Sequence, residues 1–127
     1  MSIKEIIIPS KEEIIEFNKK TGADILNENN LDFIFAKINA LNKNYSKKQV
    51  AFISAIIWYE INILHPFIDG NKRAAIGTVK YFLNSNGFLL GLTTAGEVSL
   101  SLDIINGKIS FDKLTNILND RIVKKMV

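Results

Sequence analysis

Between Val50 and Leu64 the chain carries an apolar run in which Phe52, Ile53, Ile56, Ile57, Ile61 and Leu64 recur three and four apart and leave little polar face. A helix that is apolar almost all round must be enclosed by other elements. Ser46-Lys47-Lys48-Gln49 opens it as a capping box, the serine oxygen taking an orphan N–H and the glutamine reaching back. His65-Pro66 closes it, because proline pushes the residue before it out of the helical region. His65 is therefore expected to be extended, with its imidazole projecting into the connection that follows.

The rest of the chain reads as the enclosure. Ser10-Lys11-Glu12-Glu13 is a capping box ahead of Ile14, Ile15 and Phe17, and Gly22 offers a stop, which predicts a helix near 11–20. Residues 22–30 lack periodicity and read as an exposed loop. Leu31, Ile34, Phe35, Ile38 and Leu41 predict a second helix that fades by Asn44. After the central helix, Ala75, Ile76, Val79, Phe82 and Leu83 predict one from about Asn71 to Asn86, with Gly87 beyond its C-cap. Phe88, Leu89 and Leu90 read as a connection, and Thr94-Ala95-Gly96-Glu97 as a third capping box. Ser110 caps a last helix, whose negative end Lys124 and Lys125 would complement. Strand signals are almost absent apart from Lys4–Ile8. The sum is an all-α fold, a compact bundle of about six helices with a loop between two central ones, in a single domain over residues 1–127.

Composition narrows the function classes. There is no cysteine, so disulfides and thiolate metal sites are excluded. No apolar run reaches the roughly 18–20 residues needed to cross a bilayer, and the N-terminus is too short and mixed for a signal peptide, so a cytoplasmic location without membrane association is expected. The net charge of +3 comes from lysines scattered among acids. Nucleic-acid binding normally gathers cations into a stripe, so no direct nucleic-acid contact is expected.

His65-Pro66-Phe67-Ile68-Asp69-Gly70-Asn71-Lys72-Arg73 places the one histidine, a carboxylate four residues on, and two cations around the start of a helix. Gly70 and Asn71 suit a tight turn with outward N–H groups, and the helix that opens there adds unpaired amides and the positive end of its dipole. Lys72 and Arg73 in the first helical turn are unfavourable by about 0.3–1 kcal/mol each. Such a local conflict is expected where function imposes it, and bound phosphate would relieve it. Trp58 and Tyr59 read as core and rim residues.

The nine-residue string closely resembles the signature of the Fic/Doc family, whose Fic branch carries HPFx(D/E)GNGRxxR and whose Doc (death-on-curing) toxins carry the shorter HxFxDANKR. The helix after it, the Asn86-Gly87 stop and the Gly107-Lys108-Ile109-Ser110 turn are similar to the C-terminal half of Doc. The resemblance covers residues 46–123 closely and 1–45 loosely. It implies that His65 takes the proton from a target protein's hydroxyl, that Asp69 binds Mg²⁺, and that Gly70, Asn71, Lys72 and Arg73 surround the phosphates of ATP, with Phe67 as a buried anchor of the loop. It also offers Tyr45 and the Asn27–Asn30 loop as a flap that aligns the target peptide.

Departures within the motif bear on the reaction. Lys72 stands where Fic enzymes have a glycine that cradles the β-phosphate, and Ile76 where they have a second arginine for the γ-phosphate. Lysine at that position is the Doc hallmark, which implies transfer of the γ-phosphate to a Ser or Thr hydroxyl, with a translation factor as the target protein. Gly70 is Fic-like where Doc has alanine, and Gly77 stands where Doc has an asparagine. The alternatives are a Fic-like AMP transferase and a non-catalytic binding module. Resemblance to Doc further implies an antitoxin protein as partner. The family's inhibitory pattern is matched at Thr93 and Glu97, but Val98 follows, and Ile76 leaves no arginine to block.

Overall fold

A computed structural model describes residues 4–126. Six helices account for most of them: α1 (Lys11–Lys20), α2 (Glu28–Asn39), α3 (Lys47–Leu64), α4 (Asn71–Ser85), α5 (Thr94–Ile105) and α6 (Phe111–Arg121). Two short strands, β1 (Phe88–Leu90) and β2 (Ile122–Lys124), complete the order. The expected all-α bundle is what forms, with one small sheet added.

α3 lies at the centre, as its sequence requires. Ile53, Ala55, Trp58 and Ile61 are shielded from solvent on different sides of it. α4 and α6 make the most extensive contacts with it. α4 contributes Ala75, Val79, Phe82 and Leu83, and α6 contributes Leu114 and Leu118, all fully buried. α5 packs on α3 as well, where the Trp58 indole N–H donates to the Ser101 hydroxyl at 2.8 Å. Tyr59 instead meets Phe111 edge-on. Trp58 and Tyr59 are thus packing residues.

The helix starts follow local chemistry. Ser10 and Glu13 form the full reciprocal capping box, and Ser46 and Ser110 accept from the third residue of their helices. The cap of α5 is Thr93, not Thr94: its hydroxyl accepts from Gly96 N–H at 3.0 Å. A one-residue shift of this kind is invisible where two threonines adjoin.

Four expectations fail at long range. Phe88–Leu90 is a strand, paired antiparallel with β2 in the register Phe88↔Lys124, Leu89↔Val123, Leu90↔Ile122. α6 therefore ends at Arg121, and Lys124 and Lys125 lie beyond it rather than at its last turn. Lys4–Ile8 makes only an isolated bridge, Glu5 to Asn44, instead of a strand. Asn86 holds this segment, accepting from Ile7 N–H at 2.7 Å and donating to the Ile7 carbonyl at 2.9 Å. Residues 22–30, read as exposed loop, are partly built in: Ala23 is buried, and Ile25 bridges to Phe67.

Candidate active site

The α3–α4 connection is held from both sides. On one side the α1–α2 segment pairs with it, since Leu26 and Asn27 N–H groups donate to the Pro66 carbonyl at 2.8 and 2.9 Å and Ile68 N–H donates to Asp24 O at 2.9 Å. On the other, Asn71 spends its side chain on the loop: Oδ1 accepts from Phe67 N–H at 3.1 Å and Nδ2 donates to Phe67 O at 3.0 Å. Phe67 itself is fully buried. It is the hydrophobic anchor under the bend.

His65 departs from expectation. It adopts φ 48°, ψ 59°, in the left-handed region, not the extended one, and it is the sole non-glycine with positive φ among the described residues. Its N–H still bonds to Ile61 O at 3.2 Å, so it serves as the left-handed C-cap of α3. The proline rule yields because the loop is fixed independently at Pro66, Phe67 and Ile68. Left-handed backbone at a residue with a Cβ costs about 1–3 kcal/mol and persists where surrounding bonds over-determine it. Asn30 adds one more, Nδ2 to Leu64 O at 2.6 Å.

Gly70 is the N-cap of α4, with φ 70°. Asp69 Oδ1 accepts from Gly70 N–H at 2.8 Å, a local bond that does not reach the helix. α4 accordingly has no side-chain cap, whereas the other five helices each have one. Its first amides and dipole stay available to an anion. Lys72 and Arg73, both exposed, fall in that turn. Arg73 lies back over the bend: a Cβ on Gly70 would stand 2.6 Å from its Nη2.

These residues share one cleft of about 600 Å³. His65, Asp69, Gly70, Asn71, Lys72 and Arg73 line it at the α4 N-terminus, and Ile76, Val98 and Ile105 line it further along. The lining also reaches beyond the motif, to Asn62 and Glu97 among others. Asn62 is a polar residue inside the apolar helix one turn before His65, a signal that was available. Glu97, 4% exposed, is held by the Lys80 ammonium at 2.8 Å, and nothing local announces that α5 folds back over α4. Phe67 sits beneath the cleft instead of in it. Tyr45 is elsewhere, its hydroxyl bonded to Asn86 O at 2.9 Å. Asn27 caps α2, and Asn30 is already within that helix. The residues offered as a flap do not form one.

An oxyanion with a hydroxyl beside it fits this arrangement. Cations, free amides and an exposed imidazole line one end, and a base, a charge clamp and donors are what phosphoryl chemistry needs. A magnesium ion takes one or two protein carboxylates and completes its shell with phosphates and water. Asp69 fits that need, being exposed with Oδ2 outside the bond to Gly70. Among the described residues no cluster of three or more His, Asp or Glu forms a self-sufficient metal cage, and no helix is long and apolar enough to cross a membrane.

No curated protein and no solved structure matches the chain. The model of the Fic/DOC family does, over residues 9–83. That span includes α1 and α2, which the motif-based resemblance reached only loosely, and stops within α4. It covers more than half of the sequence and contains the whole bend from His65 to Arg73, so the chain belongs to the Fic/DOC family, whose members are protein-modifying transferases that use ATP.

Proposed function

We propose that the protein is a Doc-like kinase that moves the γ-phosphate of ATP to a Ser or Thr hydroxyl of a target protein, with a translation factor as the target and an antitoxin protein as its restraint in the cytoplasm. The observation that carries this reading is a pair of side chains in the lining of the cleft. Lys72 occupies the position that AMP transfer fills with glycine, and Ile76, on the cleft wall, the position of the second arginine.

In this reading the uncapped amides of α4, Gly70, Lys72 and Arg73 orient the phosphates, and Asn71 keeps the bend rigid through Phe67. Asp69 would hold a magnesium ion, which neutralises charge on the phosphate oxygens when bound. The target hydroxyl attacks the γ-phosphorus, the bond to the bridging oxygen breaks, and ADP leaves. His65 accepts the hydroxyl proton as the new O–P bond forms and returns it to solvent. Left-handed backbone at His65 fixes where the imidazole starts, which favours alignment over stability.

Labelled ATP tests the reaction. The γ-label should appear on the target and the α-label should not, and an added phosphate by mass spectrometry identifies the target residue. An α-label there establishes AMP transfer instead, the reading favoured by Gly70, which is shared with AMP transferases. If Lys72 sets the pose, Lys72→Gly should move labelling toward α. A binding module would keep its cellular effect in His65→Ala, and a kinase would lose it.

A further inference from the structure

We propose that a second concavity, at the end of α4 away from the bend, binds a compact anion that carries two or more phosphate groups. It holds about 480 Å³ and is lined by Lys4, Tyr45, Gly87, Lys124, Lys125 and Met126. Small-ligand sites span about 300–1,000 Å³. Gly87 lies just past the C-terminus of α4, whose 15 residues extend about 22 Å at 1.5 Å per residue, so the site stands apart from the cleft and independent of the nucleotide reading. Segments distant in the sequence build it. Tyr45 N–H donates to Lys4 O at 3.0 Å and Ile6 N–H to Lys43 O at 2.7 Å, which brings Lys4 to the start of α3. β2 pairs with β1, and Lys125 N–H donates to Gly87 O at 2.9 Å, which brings Lys124 and Lys125 to the end of α4. Lysines scattered along the chain are thereby gathered in one depression.

Its lining contains three lysines and no carboxylate; Glu5, next to Lys4, is not part of it. Among the described residues none of the three forms an ion pair. Like charges around one depression repel, and a concavity of a single sign concentrates counter-ions. A bound anion resolves that conflict. Each ammonium is a point charge with three donors, a form suited to phosphate oxygens. Tyr45 decides between a compact ligand and a nucleic-acid strand, which would stack its bases on open aromatic faces. The ring is already in use: it stacks on buried Phe88 at 5.9 Å, Lys4 Nζ stands 4.1 Å from its centre, and its hydroxyl is spent on Asn86 O. What stays open is charge without a stacking platform, which favours the compact anion.

Titration of the full chain with inorganic tripolyphosphate, followed through its backbone amide NMR signals, tests this. Saturable shifts should appear at Gly87 and Lys125, while Gly70 and Asn71 report the bend separately. Lys4→Gln and Lys124→Gln should each weaken the binding read at Gly87 about fivefold, the upper value of one exposed charge pair. Shifts confined to Gly70 and Asn71 overturn the inference and leave the nucleotide reading standing. Saturable shifts at Gly87 and Lys125 with none at the bend uphold it and count against the nucleotide reading. Shifts at Gly87 that do not saturate, or that keep their full affinity in both variants, overturn it. So does tighter binding at the same amides of a single-stranded oligonucleotide or a poly-glutamate peptide of equal charge, which would make the depression part of a macromolecular docking face.

Discussion

At the level of single residues the bend is a place where stability is given up for position. His65 combines a left-handed backbone with a following proline, and a glycine there would avoid the Cβ clash at the cost of a looser unfolded chain. His65→Ala and His65→Gly should therefore both lose transfer, by about 10²–10⁴ if the imidazole is the base, and yet differ in stability. The glycine variant should be the more stable of the two, by about 1 kcal/mol in urea melts. Equal stability would mean that the bend relaxes when the imidazole is removed. Gly70 makes a complementary case. Gly70→Ala brings a Cβ to within 2.6 Å of the Arg73 guanidinium at φ 70°. The long side chain gives way more cheaply than the backbone, so the fold should lose only about 1–2 kcal/mol, while Arg73 leaves its place and nucleotide affinity measured by calorimetry should fall by about tenfold to a hundredfold, the loss of one charged hydrogen bond.

Among elements, what was legible in the sequence is what is local. Ser10, Ser46 and Ser110 lie three residues from the amides they cap, and the spacing of Ile53, Ile56, Ile57 and Ile61 is read along one helix, so helix starts and the buried centre follow from short windows. Connections between elements depend instead on partners far along the chain. Asn71 and Asn86 each spend both amide atoms on a backbone pair, Phe67 and Ile7 respectively, and no window holds both members of the Asn86 pair. Asn71→Ala should leave the Phe67 backbone groups unpaired, cost about 1–3 kcal/mol, and reduce activity without touching substrate. The α1–α4 contact joins the Phe17 and Tyr81 rings and a buried bond from Asn18 Nδ2 to Thr78 Oγ1 with one charged bond at its rim. Tyr81 donates to Glu13 at 2.9 Å, and this bond, with those from Ser10, holds the Glu13 carboxyl below its ordinary range. A lowered folded value means stability that is present above the ordinary glutamate pKa and lost as pH falls through the folded one. The stability difference between wild type and Tyr81→Phe should accordingly be largest at neutral pH and shrink in acid; a difference independent of pH would show that the hydroxyl contributes without the Glu13 charge.

For the whole molecule, the family match and the cohesive unit have different extents. Residues 9–83 carry the motif, but the far wall of the cleft comes from α5 and much of the cover of α3 from α6. The motif announces the chemistry because its nine residues are contiguous, whereas Glu97 meets it only after α5 folds back. A chain cut after Ile105 would keep the entire cleft and lose Ile109, Leu114, Leu118 and Ile122, of which the last three are fully buried and the first 8% exposed. Burial of each such side chain contributes about 1.5–3 kcal/mol, so the four together supply about 6–12 kcal/mol. That equals the whole stability of an ordinary domain, about 5–15 kcal/mol. The loss also uncovers the α6 face of α3 and strips β1 of its partner, while the chain entropy recovered belongs only to the residues removed. The shortened chain should therefore show no cooperative melt by circular dichroism and no nucleotide binding, although every cleft residue is still present in it. A cooperative transition with binding intact would place the folding unit within the first five helices and make α6 an accessory to the site.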